Sequence, residues 1–564
     1  MPGRWSEKAN SNSLQYPLEE VWFLSEIIPL FRNRQFVYTK IALNLLFHFK
    51  NKQQSRYPRR FYIVMKIRVL FILLVGLLIT PRVHAEVAPY FTFTEEVRLA
   101  YQRALELRVQ ESSLLLATEK RAHPNNYMVY FVENYLDFMR VFIDEDEDAF
   151  DSLTKNKDRR LELIEAGDAN SPYYLYTQAE IKLQWALLHL KFDEYLPALS
   201  NIRSAYKMLN KNLKQHPDFI ASKKSLGLLH ALVGTVPDNY KWAVKLLAGM
   251  DGTIEQGRRE IEEVIDFHRK NGDKLFETET SVFYAFLMLH LNNSSNDRAW
   301  KILNSGKLNP KTSALACFVL SNMAMRIGKN DLAIQMLEDR PRGAEFYKMP
   351  YLEFMLGLAK FRRLDQDAPQ YLQNYISSMG NGNYVKEAYQ KIAWHHLLND
   401  NELQYQQYMD FCKSYGRESV GSDKSAQTEA ENKDQPNPIL LKARVLFDGG
   451  YYDRAEKTLL RYQSTDFADA GLQLEYVYRL GRIFHESGKT QKAIQYYQKT
   501  VDQGRSQKYY YACNAALKMG LLHETAGEKE QAKVAYRACL DMSPNQYKHS
   551  LHGKAKAGLN RLGN

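Results

Sequence analysis

The sequence predicts an all-α fold made of stacked helical hairpins, and three observations predict it. Apolar residues recur at i, i+3, i+4 and i+7 almost without interruption from Glu95 to Leu562, the spacing of helices with one buried face. No segment alternates apolar and polar residues in the manner of a strand. Near the C-terminus a pattern of small and aromatic residues recurs three times, with key alanines at 455, 493 and 532 and spacings of 38 and 39 residues. A fixed period of that size marks a repeat architecture.

In chain order, residues 1–64 come first. They hold ten Lys/Arg and four Asp/Glu, with short apolar patches and no sustained period. They read as a leader outside the native protein, with Met65 as the true start. Residues 65–85, MKIRVLFILLVGLLITPRVHA, have a basic start at Lys66 and Arg68, an uncharged run from Val69 to Thr80, and Val83-His84-Ala85 before the expected cut. This is the three-part pattern of a secretory signal. A spanning helix needs about 20 apolar residues, and this run is shorter. An uncleaved anchor is the alternative. The charge of +11 for the whole chain belongs mostly to these two segments; residues 86–564 carry 63 basic and 61 acidic side chains, net +2. Such a balance leaves no electrostatic footprint for nucleic acid.

Residues 87–415 predict a degenerate helical-repeat region. AEIKLQWALLHLKFDEYLPALSNIRSAYKML (179–209) reads as one hairpin, and FVLSNMAMRIGKNDLAIQML (318–337) as another, with Ser321, Gly328 and Ala333 at repeat positions. YLEFMLGLAKFRRLDQDAPQYLQNYI (351–376) follows with a one-residue slip, and a helix starts at 384. Residues 416–438, GRESVGSDKSAQTEAENKDQPNP, contain no aromatic residue and a single large aliphatic, Val420. They predict a flexible linker, because so little apolar area cannot offset the entropy of ordering.

Residues 439–564 predict a regular array. LKARVLFDGGYYDRAEKTLLRY (441–462) places Ala443, Gly450 and Ala455 where YRLGRIFHESGKTQKAIQYYQKTV (478–501) has Gly481, Gly488 and Ala493. LKMGLLHETAGEKEQAKVAYRACLDMSP (517–544) has Gly520, Gly527 and Ala532 there, and ends at Pro544. Small residues let the two helices of a hairpin approach. A turn glycine takes a backbone conformation that other residues resist. No hairpin buries its apolar face alone, so hairpins must stack. This pattern resembles the tetratricopeptide repeat, whose period is about 34 residues. The resemblance implies a right-handed superhelix of paired helices, here in two halves, with first helices lining a concave surface.

Few features point to chemistry. The acidic run Asp144 to Asp148 lacks the central glycine and closing glutamate of a calcium loop and reads as a solvated turn. His395 and His396 are adjacent, about 100° apart on a helix, and have no partner at i+4. His485 and His523 recur with the repeat. The four cysteines, Cys317, Cys412, Cys513 and Cys539, are widely spaced and predict buried thiols, not a disulfide framework. No nucleophile elbow, phosphate loop or dinucleotide fingerprint occurs. No cofactor, metal or catalytic residue is expected.

Residues 225–264, SLGLLHALVGTVPDNYKWAVKLLAGMDGTIEQGRREIEEV, stand apart. They resemble a segment of the mitochondrial outer-membrane helical-repeat proteins linked to inclusion-body clearance, with Pro after an apolar helix, then Leu-Leu and glycines. That resemblance implies a membrane contact, although a packed core helix explains the same residues. Chaperone-binding tetratricopeptide repeats carry a clamp of Lys and Asn on two neighbouring first helices. Here Tyr478, Arg482 and Lys518 occupy the corresponding places and the asparagines are absent, so the resemblance does not imply that ligand.

The sequence therefore predicts a non-catalytic protein–protein interaction scaffold of the cell envelope. It would be exported to the periplasm or the outer-membrane periphery of a Gram-negative bacterium. A protein or peptide would bind the concave face through Tyr478, Arg482, Tyr511 and Lys518. Phe484, Tyr497 and Tyr536 serve either that contact or inter-repeat packing. Nucleic acid is not expected as a partner, and membrane association is not required. Two alternatives are a membrane-associated helical-repeat protein and an enzyme with its site in the N-terminal helices.

Overall fold

The computed structural model describes residues 88–235, 249–290, 296–432 and 435–563. The leader, the signal and residues 236–248 of the apolar stretch lie outside the described residues. The remainder is helical: α1 (Glu95–Leu105), α2 (Val109–Ala122), α3 (Met128–Asp144), α4 (Glu147–Glu165), α5 (Pro172–Lys191), α6 (Tyr195–Gln215), α7 (Ala221–Gly234), α8 (Ile254–Lys270) and α9 (Lys274–His290) form the N-terminal part. There follow α10 (Asn296–Ser305), α11 (Ala314–Arg326), α12 (Asn330–Glu338), α13 (Tyr351–Arg363), α14 (Ala368–Met379), α15 (Val385–Leu398), α16 (Glu402–Ser414) and α17 (Gly421–Asn432). The C-terminal part holds α18 (Pro438–Asp448), α19 (Tyr452–Leu459), α20 (Ala470–Glu486), α21 (Thr490–Gly504), α22 (Tyr510–Thr525), α23 (Lys529–Asp541) and α24 (Lys548–Arg561).

The hairpins share one turn. In the C-terminal array Gly450, Gly488 and Gly527 are left-handed, as is Gly328 upstream. The next amide donates to the carbonyl five residues back: Lys329 to Ala324, Tyr451 to Leu446, Lys489 to Phe484 and Glu528 to His523, at 2.8–2.9 Å. This double-bonded helix ending favours glycine at its left-handed position. The same bond closes α1–α2, α5–α6, α13–α14 and α15–α16, but there the left-handed residue is Leu107, Asp193, Leu364 or Asp400. From 328 to 364 to 400 the turns recur every 36 residues. The upstream repeats are therefore geometric repeats whose glycine signature has been replaced.

The first helices of the pairs, α11, α13, α15, α18, α20, α22 and finally α24, pack on one another in succession. The second helices pack chiefly on the first ones. An array whose first helices lie closer together curves with those helices inside. Two main apolar cores run along it, from Phe91 to Ile392 and from Leu440 to Leu559. A smaller core joins α13, α15, α16, α17 and α18 between them.

That junction corrects the linker expected at 416–438. Residues 421–432 form α17, with Asp423, Ser425, Ala426, Gln427, Glu429 and Ala430 buried. The helix is held by polar anchors that a count of apolar residues cannot register. Asp423 accepts the amides of Tyr384 (2.6 Å) and Glu387 (2.9 Å), capping α15. Gln427 accepts from Lys386 Nζ at 2.7 Å, and Glu429 accepts from Gln390 Nε2 (2.7 Å) and Trp394 Nε1 (2.6 Å).

The acidic run is likewise more than a solvated turn. Asp146 caps α4 through the Ala149 amide at 3.1 Å. Asp144 accepts from Tyr347 Oη, and Glu145 binds Asn383 Nδ2 (2.8 Å) and Lys191 Nζ (2.8 Å). Glu147 pairs with Arg417 at 3.0 Å. Through Tyr347, Asn383 and Arg417 they fasten the α3–α4 turn to segments 203 to 270 residues later in the chain.

Candidate functional site

The inner face of the C-terminal array is built from the repeat positions upward. A β-carbon added to Gly481 would lie 2.8 Å from Tyr497 Cδ1, and one added to Gly520 2.5 Å from Tyr536 Cε1. Each glycine thus admits the aromatic of its own second helix. Ala443, Ala455, Ala493 and Ala532 are wholly buried at the same crossings, and Pro544 is buried beyond α23.

This packing decides the fate of the expected contact aromatics. Tyr478 and Tyr511 are buried, their ring centroids 5.2 Å apart between α20 and α22. They cannot present a ring to a partner, which corrects their assignment as contact residues. The gap between neighbouring first helices needs a large side chain, and these rings fill it. Phe484, Tyr497 and Tyr536 are buried as well.

Arg482 and Lys518 remain partly exposed. Arg482 follows the small residue of its repeat directly, and Arg444 follows Ala443 in the preceding one. Each lies over an aromatic ring of the first helix before it. Arg482 Cζ sits 4.9 Å from the Phe447 centroid, and Arg444 Cζ 4.8 Å from that of Trp394. Lys391 Nζ also approaches Trp394, at 4.1 Å. Cations over indole or phenyl faces are held by the ring quadrupole. This is a ladder of arginines and aromatics along successive first helices. The Nε atoms of both arginines are buried and have no hydrogen-bond partner. Arg482 donates through Nη1 to Tyr478 Oη (3.3 Å), which also accepts from Asn514 Nδ2 (2.8 Å).

Arg444, Lys391, Trp394 and Asn514 were missed in the sequence. The shared register of Arg444 and Arg482 was the signal that could have found the ladder. Beside it, burial lowers the His485 pKa to about 4, with Lys518 and Arg482 adding to the effect and Glu486 opposing it, so its ring is neutral at pH 7. His395 and His396 are held below the usual histidine range by burial, and His396 stacks on Tyr408 at 5.3 Å. Neither pair is a ligand set, and no group of three His, Cys, Asp or Glu suited to a metal occurs among the described residues. Among those residues no helix is long and apolar enough to cross a membrane.

The second concentration of ionisable groups lies in the N-terminal helices. Lys224 on α7 is buried, with Nζ 3.1 Å from Glu180 Oε2 on α5, hydrogen-bonded to Glu279 on α9, and 2.9 Å from Tyr176 Oη. Ser225 donates to Glu180, and Tyr101 to Glu279 at 2.8 Å. Burial works against the ammonium, but Glu180 and Glu279 hold its pKa well above the ordinary value. Every charged group here already has protein partners, which marks a structural core. The α7–α8 crossing alongside is unusually close: a β-carbon on Gly257 would lie 2.0 Å from the Gly227 carbonyl oxygen. The described part of 225–264 is therefore a packed helix pair.

The tetratricopeptide repeat family model matches residues 474–502 and 514–546, the α20–α21 and α22–α23 hairpins just described. These two hairpins are tetratricopeptide repeats. No curated protein matches it. Among solved structures, the chain is similar to the TPR domain of P58(IPK) at 14% identity, over 73% of this chain and 97% of that one, with a TM-score of 0.20. It is similar to the APC/C hetero-tetramer Cut9–Hcn1 at 12% identity over 83% and 93%, TM-score 0.25, and to yeast Tom70 at 11% over 82% and 88%, TM-score 0.21.

Proposed function

We propose that this protein is a non-catalytic interaction scaffold whose inner first-helix face binds an extended, acidic protein segment. The observation that carries the reading is the Arg444–Arg482 ladder. Two guanidinium groups in repeat register are fixed by rings, and that of Arg482 is partly exposed. Arginine offers a rigid fork of donors that matches carboxylates. Lys518 extends the same face by one repeat, and the repeat spacing suits a ligand that meets several shallow sites in succession.

The test is fluorescence anisotropy of labelled Asp/Glu-rich, neutral and Lys-rich peptides with the protein. The acidic peptide should bind, weaken as salt rises, and lose at least tenfold in affinity with R482E/K518E. Equal binding of the three peptides, or an unaffected double variant, would refute the reading.

We further propose that the scaffold works in the cell envelope after cleavage at Ala85. The support is the basic, apolar and small-residue pattern of residues 65–85. N-terminal sequencing of exported material should begin at Glu86. A mature chain that retains residues 1–64 would overturn this placement.

A further inference from the structure

We propose that Cys513 and Cys539 form a reversible disulfide that locks the two helices of the last matched repeat to each other. Cys513 is near the start of α22 and Cys539 near the end of α23, so the antiparallel hairpin brings together two residues 26 positions apart. Their sulfurs are 3.4 Å apart, and the Cys513 thiol donates to the Cys539 carbonyl at 3.3 Å. A disulfide holds its sulfurs at about 2.05 Å, so closure needs a shift of only about 1.4 Å, within reach of small side-chain rotations. The bond would close the open end of the hairpin, opposite the Gly527 turn.

The other two cysteines give the contrast. Cys317 donates to Met336 O at 3.4 Å and Cys412 to Lys386 O at 3.3 Å, and burial pushes the Cys317 thiol up to about 11. Within the proximal pair, the hydrogen bond from Cys539 lowers the Cys513 pKa, which makes Cys513 the natural attacking thiolate.

The oxidant is a small disulfide such as glutathione disulfide. Cys513 thiolate attacks one of its sulfurs, the S–S bond breaks, and one glutathione thiolate leaves. Cys539, deprotonated, then attacks the Cys513 sulfur and expels the second glutathione. Two protein thiols are oxidised and one small disulfide is reduced to two thiols. Both sulfurs are buried, so the exchange proceeds during folding or during opening of the terminal helices, where local stability is lowest.

The experiment refolds the full chain from denaturant in a glutathione redox buffer, alkylates it under denaturing conditions without reductant, and maps it by mass spectrometry. Expected are alkylated Cys317 and Cys412, and a peptide pair linking Cys513 to Cys539. C513S and C539S should each abolish that link, and dithiothreitol should lower the melting temperature of wild type but not of C513S/C539S. Alkylation of all four cysteines, or links through Cys317 or Cys412 in place of the proposed pair, would overturn the proposal. A melting temperature equally sensitive to dithiothreitol in C513S/C539S would overturn the locking role.

Discussion

Replacing Lys224 with methionine tests whether the buried charge cluster is structural. Methionine keeps most of the volume and leaves Glu180 and Glu279 facing each other at 2% and 3% side-chain exposure. Removing one partner of a buried ion pair costs about 3–5 kcal/mol, because the remaining charge is desolvated without compensation. Two carboxylates are stranded here, so K224M belongs at the upper end, about 5 kcal/mol. The triple variant K224M/E180Q/E279Q removes the charges and leaves acceptors for Ser225 and Tyr101; it should recover most of the loss. The pH dependence has a definite sign. Burial already raises Glu180 above its usual range, and K224M raises it further. A carboxyl whose folded pKa exceeds its unfolded value is stabilising below the unfolded value and loses that contribution as pH rises. The deficit of K224M should therefore be smallest near pH 4 and grow toward neutrality. Urea unfolding followed by far-ultraviolet circular dichroism, read at the transition of the N-terminal helices, measures it. A loss below about 1 kcal/mol, far under the cost of a stranded buried charge, or a triple variant no better than the single one, would refute the reasoning.

The other predictions concern packing, capping and the acidic clasp. Tyr536 is wedged between Gly520 and Gly558, where added β-carbons would lie 2.5 Å from its ring on either side. G520A/G558A should destabilise the C-terminal array by about 2 kcal/mol despite better helix propensity, and Y536A should cost less in that background than in wild type; chemical denaturation of the four variants decides. Burial pushes Asp423 from its ordinary 3.8 up to about 8, with Glu387 adding to the effect against two backbone amides that oppose it. Stability should accordingly fall as pH rises from about 4 to 8, and D423N should flatten that slope in pH-dependent melting. E145A removes the bonds to Asn383 and Lys191 and should speed proteolysis in the α3–α4 turn while leaving circular dichroism of the chain unchanged.

What the sequence revealed followed from which interactions leave a local trace. The C-terminal hairpins were legible because glycine fills their left-handed turns and small residues their crossings. Upstream, Leu107, Asp193, Leu364 and Asp400 hold the same turn at a conformational cost, so the geometry repeats while the letters do not. α17 escaped because its anchors are Asp423, Gln427 and Glu429, residue types that ordinarily signal solvent. Lys224 stands beside Lys223 with nothing local to distinguish the two, and only the convergence of α5, α7 and α9 makes it a core residue. Cys513 and Cys539 looked remote because hairpin adjacency is invisible to linear spacing. Arg482 and Lys518 are partly exposed on their first helices, whereas Tyr478 and Tyr511 were placed among the contacts without allowing for the volume between first helices.

The contrast among buried cations separates scaffold from surface. Lys224 donates to carboxylate and phenol partners, Lys386 to Gln427 and two carbonyls, and Arg479 through Nε to Glu475 at 2.6 Å. Those groups repay their desolvation within the fold. Arg444 and Arg482 do so incompletely, since their nearest ion pairs are at 3.9 Å and their Nε donors are unfilled. A fold selected only for stability would replace such a pair with apolar residues, a change that is often neutral or stabilising. Arg482, the partly exposed member of the pair, is therefore the one on which the proposed acidic ligand is tested.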